Sequence, residues 1–196
     1  DDFVAWKNIT IHDYVEKYYG IKADKISYTA VDIPKDKKFR KDKDKIVYVG
    51  RLEENTGLPI ILEALSYLKG VKVDFCGDGP LRKDCEKYGK VHGFTDPNPY
   101  LARSFICLSP GVTTILESFT FKCLIITTYD NPLKKDYLLM APFSKWIIVE
   151  KSPKKLAEKM KFFTKHPNEA KDYIEGSYKW VKTQSWGKEI KMYLEL

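Results

Sequence analysis

The sequence predicts an α/β protein built on a doubly wound parallel sheet of about six strands, with helices on both faces. Three observations lead there. From Lys45 onward, short apolar runs alternate with amphipathic helical stretches. The runs are almost continuously apolar instead of alternating with polar residues, as strands buried on both faces are. Glycine-bearing turns then follow four of them, at Gly50, Gly77, Gly93 and Gly111.

The strands are expected at 46–49, 71–75, 91–94, 105–108, 124–127 and 146–149. Between the first two, Leu58, Ile61, Leu62, Leu65 and Leu68 keep helical spacing. Pro59 falls in the first turn, where a missing N–H is tolerated. Further helices are expected at 81–88, 99–104, 115–122, 133–140 and 153–163, completing a Rossmann-like βα alternation. The ends differ: a helix at 14–19, a further strand at 25–31, a charged connection at 34–45, then helices at 169–182 and 186–194 with no strand after them. Three units follow: an N-terminal helical segment at 1–24, a Rossmann-like domain at 25–182, and a C-terminal helix at 183–196. Trp180, Trp186, Ile190, Tyr193 and Leu194 are apolar groups that pack either on this domain or on another. The chain opens on Asp1 instead of Met and is expected to be part of a longer protein.

Composition excludes several classes. Hydrophobic residues make up 43% and charged residues 31% of the 196 residues, a balance that supports a globular core. No apolar run approaches the roughly 18 residues that span a bilayer, and no signal-peptide pattern opens the chain, so a cytoplasmic protein is expected. The net charge of +7 is almost all lysine, with arginine only at 40, 51, 82 and 103. Its densest part, Lys35 to Lys45, is diluted by Asp36, Asp42 and Asp44. That dilution suits a solvated linker, or a peripheral contact with anionic lipid at the inner membrane face. Nucleic acid is not expected as a partner. Cys76, Cys85, Cys107 and Cys123 lack the paired spacing of zinc sites and read as buried thiols. His12, His92 and His166 are scattered, so no metal site and no Cys–His nucleophile is expected. Asp42-x-Asp44 precedes its strand and is a poor candidate for a divalent metal.

The segment Ser109-Pro110-Gly111-Val112-Thr113-Thr114-Ile115-Leu116-Glu117 closes one strand and opens a helix. Free amides and the positive end of the helix dipole converge at such a turn and attract anions. Glu117, one turn further, is placed to reach the sugar of a nucleotide. The competing reading is a capping box, in which Thr114 and Glu117 satisfy each other's amides. Arg51, after Gly50 at another strand end, offers a bidentate donor for phosphate, or else an ion pair with Glu53 or Glu54. Gly77-x-Gly79 is a weaker dinucleotide signal, because Arg82 stands where a third small residue is required.

Lys45-Ile46-Val47-Tyr48-Val49-Gly50-Arg51-Leu52, Gly77-Asp78-Gly79-Pro80, Val91-His92-Gly93-Phe94 and Leu116-Glu117-Ser118, in this order, resemble the C-terminal, donor-binding domain of GT-B glycosyltransferases. The likeness is strongest to the retaining group 1, family 4 enzymes and covers about residues 25 to 195. It implies a hexosyltransferase that uses a nucleotide-diphosphate sugar as donor substrate, with no separate cofactor and no metal. Arg51 would bind the diphosphate and Glu117 the ribose, both counted as catalytic. Gly50 and the backbone at Gly111, Val112, Thr113 and Thr114 would add phosphate contacts, His92, Gly93 and Phe94 would meet the base, and the loop at 129–132 would face the sugar. A glycan or lipid-linked acceptor would be held by an N-terminal domain, without which the chain is expected to be inactive.

Two positions depart from the family pattern. No lysine follows Arg51 within Glu53-Glu54-Asn55-Thr56-Gly57, and Ser109 stands where a sugar-binding glutamate is usual. Gly111 with Thr114 is closer to inverting GT-B enzymes, so retention and inversion both remain open. The competing function is a non-catalytic nucleotide-binding or regulatory module of the same fold, followed by an NAD-binding domain.

Overall fold

In a computed structural model of the chain, residues 9–10, 14–35 and 38–195 are described. Six strands form one sheet: β3 (Asp42–Val49), β4 (Val73–Cys76), β5 (Gly89–Val91), β6 (Ser104–Leu108), β7 (Leu124–Thr127) and β8 (Ile147–Val149). They lie in the order β5-β4-β3-β6-β7-β8, and every pair is parallel. The chain winds one way from β3 to β5 and the other way from β6 to β8, so the winding reverses between β3 and β6.

The period of two sorts the strand side chains onto two faces. Ile46, Tyr48, Ile106, Leu108, Leu124 and Ile126 enter one core, beneath α2 (Leu58–Ser66), α3 (Arg82–Glu86) and α7 (Pro153–Lys165). Val47, Val49, Cys107 and Ile125 enter the other, beneath α4 (Asn98–Arg103), α5 (Val112–Thr120), α6 (Pro132–Leu139) and α8 (Lys171–Val181). With helices on both faces, β6, β7 and the second half of β3 are buried on both sides, which is why they are written as apolar runs. The four cysteines are free and buried. Trp180 packs into the second core, with ring centroids 5.4 Å from Phe143 and 6.5 Å from Phe119.

The N-terminal part contributes β1 (Ile9–Thr10), α1 (Tyr14–Tyr19) and β2 (Lys25–Ile26). The strand expected at 25–31 is therefore two residues long and pairs with β1 in a separate parallel ladder. α9 (Trp186–Leu194) lies beside this segment: Ser27 donates to Glu189, and the Trp186 indole N–H donates to Asp32 at 3.1 Å. Trp186, Ile190, Tyr193 and Leu194 stay exposed.

Besides the shortened strand β2, three boundaries shift by three residues or more. β3 begins at Asp42 within the presumed charged connection, because Asp42 pairs with Ser104 of β6 before a shift of register leads into the apolar half. β5 ends at Val91, since Gly93 takes a positive φ of 71° that turns the chain out of the sheet. α5 begins at Val112, with Gly111 as its extended N-cap. Thr114 and Glu117 thus lie in the third and sixth helical positions, and the Thr114–Glu117 capping box does not form.

Candidate functional site

In an open doubly wound sheet, ligands sit beyond the carboxyl ends of the strands where the winding reverses. Here that point lies between the turn after β3, which carries Gly50 and Arg51, and the turn after β6, which carries Ser109 to Gly111. The two touch: a Cβ on Gly50 would lie 2.8 Å from Cγ of Pro110. The β3 turn is pinned from below by Tyr48, whose buried hydroxyl donates to the Arg51 carbonyl at 2.9 Å. From the side it is held by the turn after β4, through Gly50 N–H to Cys76 at 3.1 Å and Leu52 N–H to Asp78 at 3.0 Å. Gly77 and Gly79 serve that contact. A Cβ on Gly77 would stand 1.9 Å from the Gly50 carbonyl oxygen, and one on Gly79 2.5 Å from that of Leu52. Arg82 is taken up by Asp78 and Glu86. The Gly77-x-Gly79 pair is a packing device between turns.

The first half of α5 separates two cavities. On one side, a cavity of about 360 Å³ is lined by Gly50, Arg51, Pro110, Gly111, Thr114 and Lys134. Arg51 is 65% exposed there and holds Glu53 at 3.0 Å, so the ion pair weighed against the phosphate reading exists. On the other side, a cavity of about 790 Å³ lies under the segment 29–35 and is lined by Thr113, Glu117, Asp96, Pro97 and Asn98. The half-buried Glu117 carboxyl is pushed above the usual carboxylate range by burial and then by Asp96. Among the described residues it has no hydrogen bond or ion pair, and its oxygens are not shut away from the cavity it lines, so they are open to accept from a ligand.

Between the cavities stands the helix N-terminus. The Val112 amide donates to the Tyr137 hydroxyl at 2.6 Å. Among the described residues, the Thr113 and Thr114 amides have no hydrogen-bond partner. Ser109 is fully buried: its hydroxyl donates to the Gly111 carbonyl and its own carbonyl accepts from Thr127 at 2.6 Å. It braces the turn.

His92, Gly93 and Phe94 lie further along the rim. The His92 ring contacts Asp74 at 2.8 Å and the Tyr100 hydroxyl at 3.0 Å, and Arg103 holds the other Asp74 oxygen at 2.8 Å. Burial works to raise the Asp74 carboxyl, but the hydrogen bonds from His92 and Arg103 outweigh it and hold the group below its ordinary value. With its ring committed, His92 can offer a ligand only its backbone. Phe94 is 86% exposed at the lip. Asp42 and Asp44 lie at the opposite end of β3 from this rim. The loop at 129–132 leads into α6, where the Asn131 side chain accepts from the Lys134 amide at 2.8 Å.

Residues 31–180 match the model of the family described as glycosyl transferases group 1. The chain belongs to the group 1 glycosyltransferases. Comparison with curated proteins returned no match. Among solved structures, the fold is similar to a glycosyltransferase from Rickettsia africae, at 17% identity and a TM-score of 0.68 over 96% of this chain and 62% of that one. It is similar to Anabaena HepE, solved with UDP and glucose, at 13% identity and 0.71 over 95% and 62%. S. aureus TarM follows at 11% identity and 0.69 over 96% and 43%. The chain thus spans between 43% and 62% of the length of these enzymes. The shared architecture is the Rossmann-like C-terminal domain of the GT-B fold. Within this group 1 glycosyltransferase domain, the structure also brings Lys134, which the sequence did not single out, into the cavity lined by Arg51. Its only signal was the Lys134-Lys135 pair at the start of the helix that follows the loop assigned to the sugar.

Proposed function

We propose that this chain is the donor-binding domain of a hexosyltransferase that takes its sugar from a nucleotide-diphosphate sugar. One observation carries the reading: Arg51 and the unpartnered carboxylate of Glu117 flank the open N-terminus of α5, at the point where the winding reverses. The diphosphate would lie against Arg51, Gly111 and the Thr113 and Thr114 amides. Glu117 would accept the ribose hydroxyls, and the backbone at 92–94 would meet the base. HepE and the pneumococcal O-GlcNAc transferase GtfA were both solved with UDP, in keeping with this class of donor.

In the transfer, the bond between the sugar's anomeric carbon and the terminal phosphate oxygen breaks, and its electron pair stays on that oxygen. The acceptor hydroxyl oxygen bonds to the same carbon and gives up its proton. The departing diphosphate gains one negative charge, so cations and aligned amides stabilise the transition state more than the ground state. The acceptor, a glycan or a lipid-linked saccharide, would be held by an N-terminal domain, and this domain alone would bind nucleotide without transferring sugar. A lysine-rich surface with a net charge of +7 suits a cytoplasmic location beside an anionic membrane face. No helix among the described residues is long and apolar enough to cross a membrane.

A thermal-shift panel of UDP, GDP, ADP and CMP tests the proposal. A ligand at 100 times its dissociation constant stabilises the fold by about 2.7 kcal/mol, equivalent to about 5–11 °C in a chain of this size. At least one nucleotide is expected to give such a shift, and Arg51→Ala and Glu117→Ala are each expected to reduce it. No shift with any nucleotide overturns the reading.

A further inference from the structure

Lys134 is placed where a cation has least reason to be. It occupies the third position of α6, at the positive end of the helix dipole, where a carboxylate would be favoured. Its side chain runs into the cavity of about 360 Å³ that also holds Arg51, bringing two cations to one small space. Burial pulls the ammonium below the usual lysine range; Arg51 adds to this while Asp130 opposes it. Its contacts are the Pro110 carbonyl, to which it donates, and the Tyr137 ring, 4.8 Å from Nζ to the centroid. Among the described residues, no carboxylate lies within ion-pair distance of it. Its neighbour Lys135 is exposed, so solvent was open to a lysine in this turn.

These features compose one arrangement. Pro110 fixes the ammonium against the turn that Gly111 continues, Arg51 faces it from the turn after β3, and the Thr114 side of α5 closes the third wall. Three elements on both sides of the winding reversal converge on a space that suits two linked phosphate groups. We propose that Lys134 is the second diphosphate-binding cation of the site. With Arg51 it would hold the donor's diphosphate, and it would share the charge that the leaving group gains. This rests on the nucleotide-diphosphate reading above. It assigns to α6 the cation that the segment after Arg51, with Glu53 and Glu54, does not supply.

The test is isothermal titration of UDP, GDP and ADP, and of uridine, guanosine and adenosine, into the wild type, Lys134→Met and Lys135→Met, with a melting curve for each protein. For the diphosphate that the wild type binds most tightly, Lys134→Met is expected to weaken affinity by about ten- to hundredfold, the value of one charge-assisted contact. Affinity for the matching nucleoside and the behaviour of Lys135→Met are expected to stay unchanged. The melting temperature of Lys134→Met is expected to equal or exceed that of the wild type, because an unfavourably placed charge is gone. A merely structural lysine would instead lower the melting temperature. Undiminished diphosphate affinity in Lys134→Met overturns this assignment alone. A wild type that binds none of the three diphosphates overturns it together with the donor-site reading.

Discussion

Replacing Gly77 with alanine drives a methyl group into the turn that carries Arg51. The new Cβ would lie 1.9 Å from the Gly50 carbonyl oxygen, where ordinary contact begins at 3.4 Å, and both partners are backbone. The two turns must part by more than an ångström. Such a separation strains the Gly50 N–H to Cys76 bond at 3.1 Å and the Gly77 N–H to Gly93 bond at 2.9 Å. Each of these contributes about 0.5–1.5 kcal/mol, and the positive φ at Gly77 adds about 1–3 kcal/mol for a side chain, giving about 2–6 kcal/mol in all. Calorimetry should then show melting lowered by about 4–24 °C. Titration below the transition should show weakened nucleoside diphosphate binding, because the Arg51 turn has moved. A variant that melts within about 2 °C of wild type and binds equally well would refute the account of how Arg51 is positioned.

Gly111→Ala is the informative contrast. Its Cβ would meet nothing within 4 Å and its φ is −121°, so stability should fall only by the N-cap preference for Gly over Ala, about 1 kcal/mol, while diphosphate affinity falls further, as read by melting and titration on one sample. Glu117→Gln should leave stability equal or slightly higher, because a half-buried, unpartnered carboxylate is lost, and should weaken nucleoside and nucleotide binding alike; lowered stability with intact binding would contradict that role. Asp74 is held below its ordinary 3.8, so it contributes stability that is fully present above about pH 4 and is lost as pH falls through its folded-state value. Urea melts between pH 2 and 6 should show this acid-side loss, and Asp74→Asn should flatten it while destabilising the neutral protein by about 1 kcal/mol.

The fold was legible because its signal is redundant. The inner strands are buried on both sides, and Ile46 to Val49 or Leu124 to Thr127 announce this without any tertiary context. Boundaries were less legible where pairing overrode composition: Asp42 to Lys45 look like a solvated linker, yet Asp42 pairs with Ser104. The start of α5 was missed because Thr114-x-x-Glu117 imitates a cap, whereas the backbone of Gly111 sets the start. The positions of Arg51 and Glu117 on the rim were legible because each follows a strand at a recognisable turn. The place of Lys134 beside Arg51 was not, since it depends on a contact with Pro110, 24 residues earlier, that no local pattern encodes. The commitment of His92 to Asp74 and Tyr100 was hidden for the same reason.

The most direct measurement is a crystal structure of this chain with whichever of UDP, GDP or ADP stabilises it most. Phosphate oxygens are expected within hydrogen-bond distance of the Arg51 guanidinium and the Thr113 or Thr114 amide, with ribose hydroxyls on the Glu117 carboxylate. A nucleotide bound away from the N-terminus of α5, or one seated there with Arg51 still turned wholly to Glu53 and Glu117 untouched, would contradict the donor-site reading.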